Sequence, residues 1–117
     1  MKVPASTTDR ATRIALVFAL VAERLSAYYE HGQWITEAQG ASLAADWLSR
    51  SQRRLELSER RQLSASSDQL AREIAASVSR EAGLYLAHEL TESLDPNYHS
   101  DAAQTIMQEC ERLVGVL

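Results

Sequence analysis

Apolar residues recur at alternating spacings of three and four through Ala11, Ile14, Phe18, Val21, Leu25 and Tyr28, a period that lines one face of a helix. From Ile14 to Ala22 no polar side chain interrupts the run. At about 100° per residue, Leu16 and Leu20 fall roughly opposite the stripe, where a surface helix carries charge. The middle of this helix therefore has no solvent face. Two arrangements satisfy that pattern: a central helix with neighbours on all sides, or a second apolar face that meets another copy of the chain. The second assigns Leu16 and Leu20 to self-association and makes the protein a homodimer.

The remaining pattern is also helical, and four elements are expected, at about 8–31, 36–56, 67–94 and 100–115, packed as an all-α bundle. Thr7 or Thr8 caps the first, after a loose lead over residues 1–7, and Gly32 stops it. Thr36 and Gln39 have the spacing of a capping box. Gly40, Ala44, Trp47, Leu48, Ser51 and Leu55 share the inward side of the second helix. No glycine or proline lies between Gly40 and Gly83, so the next boundary is placed in the cluster Ser64-Ala65-Ser66-Ser67, the strongest remaining break signal. Leu70, Ala71, Ile74, Ala75 and Val78 form the stripe of the third helix. Beyond Gly83 that stripe continues as Tyr85, His88 and Glu92 while Leu86, Leu90 and Leu94 move to another side, which predicts a bend or a change of neighbour at Gly83. Asp95-Pro96-Asn97 ends the helix, and Ser100 caps a last one whose clean face is Ala103, Ile106, Met107, Cys110, Leu113, Val114 and Leu117.

A chain of 117 residues is expected to form one domain with a core large enough to need no disulfide or metal. Its single cysteine, Cys110, allows no internal disulfide and fits a cytoplasmic protein. The apolar run is too short to cross a bilayer, which takes about 20 residues, and Asp9 and the polar lead are unlike a signal peptide. Net charge is −4, which disfavours general nucleic-acid binding. The charge is nonetheless divided. Arg50, Arg53, Arg54, Arg60 and Arg61 form a basic stretch, whereas from Glu81 onward seven acidic residues face the one base Arg112. Lys2 is the sole lysine, a bias associated with GC-rich bacterial or phage genomes.

No phosphate-binding glycine loop, nucleophile elbow or Cys-x-x-Cys is present. His88-Glu89-Leu90-Thr91-Glu92 has Glu92 where a zinc-hydrolase helix needs its second histidine, so no metal and no cofactor are expected. Cys110 lies on an apolar face and reads as core. Tyr28, Tyr29, Trp34 and Trp47 read as packing rather than a base-stacking platform. The expectation is a non-catalytic interaction protein, not an enzyme, that covers a site on a macromolecular partner as an inhibitor, an immunity-type protein or a regulatory subunit. Arg50, Arg53, Arg54, Arg60 and Arg61 would face an acidic protein, with Glu89 and Glu92 as second candidates toward a basic one. The alternative is a small nucleic-acid-associated regulator that uses the same arginines.

Overall fold

The computed structural model describes residues 7–116, with side chains from Arg10 onward. The expected lead and the Thr7 or Thr8 cap lie outside the described side chains, as does Leu117. Five α-helices follow one another: α1 (Thr7–His31), α2 (Glu37–Arg50), α3 (Leu57–Ser77), α4 (Arg80–Glu92) and α5 (Asp101–Gly115). No strand occurs among the described residues, so the chain is all-helical. None of these helices is long and apolar enough to cross a membrane.

The first and last elements and both their signals are where the pattern puts them. Gly32 stands at φ +71° after α1, with its N–H on the Tyr28 carbonyl at 2.9 Å, and Ser100 Oγ accepts from the Ala103 N–H at 3.3 Å. The capping box of α2 is complete: Thr36 Oγ1 accepts from the Gln39 N–H at 3.1 Å, and Gln39 Oε1 accepts from the Thr36 N–H at 2.8 Å.

The middle of the chain differs from the expectation in two places. α2 stops at Arg50, six residues early, by a Schellman turn in which Arg53 N–H reaches the Leu48 carbonyl at 2.9 Å and Gln52 N–H reaches that of Ser49 at 3.1 Å. The left-handed position in that turn belongs to Gln52, at φ +56°, rather than to the usual glycine. α3 then begins at Leu57 and runs straight through Ser64–Ser67, where a turn was expected. The expected third helix is also two helices. Val78 and Ser79 are extended, and Ser79 Oγ accepts from the Ala82 N–H at 3.2 Å to start α4.

Gly83 is inside α4, which runs unbroken past it. It is buried because the Tyr29 ring of α1 lies directly on it, in the space a Cβ would occupy. The shift in apolar phase thus records a new helix with a new neighbour, the break falling at Val78–Ser79. Glu81, Tyr85, His88 and Glu92 are exposed on its outer side.

α1 is the axis of the bundle and packs against α2, α3, α4 and α5. Leu16 and Leu20 are 0% and 1% exposed, covered entirely by the chain's own helices. Their assignment to self-association is therefore corrected: in the folded chain they offer nothing to a second copy, and the central-helix arrangement accounts for them. Phe18, Val21 and Leu25 from the opposite stripe join the same core, with Leu63 and Leu70 of α3, Ala87 and Leu90 of α4, and Ile106, Cys110 and Val114 of α5. Burying one such side chain contributes roughly 1.5–3 kcal/mol, and α1 supplies more buried apolar residues than any helix around it.

Candidate functional site

One charged residue of α1 is buried with its apolar ones. Arg24 follows Leu20 by four and precedes Tyr28 by four, so helical spacing sends it inward, and it is 2% exposed. Taking a guanidinium out of water costs several kcal/mol unless its donors find acceptors. α3 supplies them. Arg24 Nε donates to Ser67 Oγ at 3.1 Å, Nη2 to Ser64 Oγ at 2.9 Å and to the Ser64 carbonyl at 3.3 Å, and Nη1 to Asp68 Oδ1 at 3.1 Å. Ser67 in turn donates to the Ser64 carbonyl at 2.7 Å. Burial pulls the Arg24 pKa down, Asp68 pushes it back up and Arg72 lowers it; an arginine starts high enough to remain a cation. α2 closes the arrangement with Gly40, whose missing side chain leaves the space that the Arg24 guanidinium and Ser64 Oγ fill. The serines that read as a turn are thus the polar lining for a buried cation.

This cluster is the floor of a groove of about 850 Å³ between α2 and α3. Ile35, Ala38, Ala41, Ala44, Leu57 and Ala65 supply its apolar wall, and Arg60, Arg61, Arg72, Glu37 and Asp68 its charges. Asp68 serves two arginines, since its Oδ2 accepts from Arg72 Nε at 3.0 Å. Arg72 also lies 4.9 Å from the Trp34 ring, which is stacked on Tyr28 at 4.3 Å. The Trp34 ring is therefore occupied by its own chain.

The five arginines expected to meet a partner gather at the corner joining α2 to α3. Arg50 ends α2 and pairs with Asp46 at 3.0 Å in full exposure. Such a pair contributes at most about 1 kcal/mol and leaves the guanidinium accessible. Arg53 and Arg54 are exposed in the linker, and Arg53 stands 5.8 Å from the ring of half-buried Trp47. Arg60 and Arg61 are in the first turn and a half of α3 and turn toward the groove. Among the described residues no carboxylate lies within 4.0 Å of Arg53, Arg54, Arg60 or Arg61, because Glu59, the acid nearest in sequence to Arg60, is taken by Arg13 at 2.9 Å.

The acidic candidates separate. Glu92 is exposed. Glu89 is only 8% exposed and accepts from Tyr98 Oη at 2.7 Å. That bond, helped by Ser100 and Tyr85, holds its carboxylate below the ordinary glutamate range, while the same bond raises the Tyr98 phenol. Glu89 therefore ties α4 to the loop before α5, and its place among partner-facing residues is corrected. Among the described residues no three His, Cys, Asp or Glu side chains converge as a metal site would need. Cys110 is fully buried, and burial pushes its thiol up to about 12, far from the thiolate that nucleophilic chemistry requires.

No family model matches the chain, and no curated protein or solved structure matches it either.

Proposed function

We propose that the protein acts without catalysis, by docking the α2–α3 corner onto an acidic surface of a protein partner. The observation that carries this reading is the unpaired set at that corner: Arg53 and Arg54 exposed with no carboxylate within 4.0 Å among the described residues, beside a half-buried tryptophan. Arginine and tryptophan are the side chains most enriched where interfaces concentrate their binding energy. Guanidinium groups pair with carboxylates in a planar, bidentate manner. Arg50 extends the corner, since its exposed partner Asp46 is easily exchanged for a better acceptor. Arg60 and Arg61 border it on the groove side, and exposed Glu92 on α4 is left for a lesser, separate contact.

The test compares the wild-type chain with Arg50→Glu/Arg53→Glu/Arg54→Glu as bait in extracts of the source cell, followed by titration of the captured protein in purified form. The wild type should bind one partner in a manner that survives moderate salt, and the reversed variant should lose it while melting within about 1 kcal/mol of wild type, as surface changes do. Equal binding by both would refute the reading. Binding of oligonucleotides with a steep salt slope would transfer the arginines to nucleic acid instead.

A further inference from the structure

The groove between α2 and α3 carries more positive charge than its own acids balance. Arg24 and Arg72 share Asp68, at 3.1 and 3.0 Å, and among the described residues Glu37 is the only other acid on its wall. Arg60 and Arg61 have no carboxylate within reach among the described residues. A second observation is independent of this balance. Arg60 Nε is enclosed yet has no hydrogen-bond partner among the described residues, and an enclosed donor of a charged group is costly to leave unsatisfied. The wall facing these cations is apolar, and Leu57 at its edge is 53% exposed. At about 850 Å³ the space is within the range of small-molecule sites, which combine an apolar lining with a few placed polar groups.

We propose that this groove binds a small organic anion, its apolar body against Ile35, Ala41 and Leu57 and its carboxylate or phosphate on Arg60 and Arg61. An acceptor oxygen placed there adds charge-assisted bonds to the two guanidinium groups, and a turn of the Arg60 side chain toward it would bring the enclosed Nε to a partner. Arg24, bound to α3 through all three of its nitrogens, holds the floor and adds its field. An inorganic ion alone would satisfy the arginines and leave the apolar wall uncovered, so the anion must carry a body. This site does not depend on the partner proposed above, although Arg60 and Arg61 border both.

Calorimetric titration of the purified chain tests it, with phenyl phosphate as probe beside inorganic phosphate and phenol. Phenyl phosphate should bind saturably, one per chain, at least tenfold more tightly than either fragment. Arg60→Gln should weaken it tenfold or more, and Ala41→Trp, which fills the groove from an exposed position on α2, should abolish it. Circular dichroism checks that each variant is folded, and loss of binding in either folded variant places the anion in the groove. No saturable binding at millimolar probe, equal binding of inorganic phosphate, or binding that survives both substitutions overturns the proposal. The Arg50→Glu/Arg53→Glu/Arg54→Glu chain should still take phenyl phosphate, so failure of the partner reading and failure of this one are separately visible.

Discussion

Toward α4 and α5, α1 lays its Tyr29 ring on Gly83 and shares an apolar core with Leu90, Ile106 and Cys110. Toward α2 and α3, the same helix buries a cation among two serines, an aspartate and a glycine. The two sides do different jobs. Apolar packing is non-directional and contributes most of the stability, whereas the Arg24 cluster has a net value near zero after desolvation. What the cluster adds is orientation, since its acceptors occur at one height on α3.

Substitutions on the two sides should therefore fail differently. The largest effect is expected from Leu16→Glu with Leu20→Glu. Two carboxylates with no partner in the core cost several kcal/mol or more, so circular dichroism should show an unfolded chain. A folded helical monomer would mean that this face of α1 is accessible after all.

Arg24→Ala should cost about 3–5 kcal/mol in urea unfolding, since it removes one partner of a buried charge network and leaves Ser64 and Ser67 without it. Arg24→Leu combined with Ser64→Ala and Ser67→Ala should recover much of that loss, because no polar group is then orphaned. If the triple variant is no more stable than Arg24→Ala, the polar side is held by the arginine itself and not by satisfaction of its partners.

Gly83→Ala places a methyl group where the Tyr29 phenol lies, and overpacking of this kind costs about 1–3 kcal/mol. Pairing it with Tyr29→Leu should cost less than the two single changes summed, a coupling that a double-mutant cycle would measure. Strict additivity would show that the ring and the glycine do not define the α1–α4 contact.

These positions also show what was legible from the chain. α1, its Gly32 stop, the Thr36 box and α5 follow local rules, and their signals are local residues. The α2 stop was hidden because Gln52 occupies a left-handed position that glycine normally marks. Ser64 and Ser67 misled for a related reason: serine favours turns when its hydroxyl bonds the nearby backbone, and here both hydroxyls also accept from Arg24, 40 and 43 positions away. A signal existed in Arg24, a charge placed one turn beyond Leu20 on the side of the helix that Leu16 and Leu20 make apolar. Its partner could not be named without the fold. The arginine corner was legible as composition, but the loss of Glu59 to Arg13 and the covering of Glu89 by Tyr98 are long-range or loop contacts that no periodicity reveals.

Two smaller effects lie at the edges of the two sides. Gln52→Gly should stabilise the chain by roughly 0.5–1 kcal/mol, the left-handed penalty relieved less the added backbone entropy, raising the melting temperature by a few degrees. A loss of stability would mean that the Gln52 side chain contributes something its backbone conformation does not suggest. Glu89 has a folded pKa below its ordinary value, so its contribution is present above the ordinary glutamate range and is lost as pH falls through that range to the lowered pKa. Glu89→Gln should accordingly flatten the acid limb of the stability–pH profile and leave the neutral region nearly parallel to wild type. An unchanged acid limb would remove the Glu89–Tyr98 bond from the account.

The position of α1 in the chain has a consequence for synthesis. The helix that supplies most to the buried core is made before every helix that covers it, and its last cover, α5, ends roughly 80 residues later, which at ~5–20 residues per second is about 4–16 s of translation. During that interval Leu16 and Leu20 face solvent, the ribosome surface or a chaperone. The nascent chain is at its stickiest when its first helix is complete and its companions are not, and only completion of α5 finishes the enclosure.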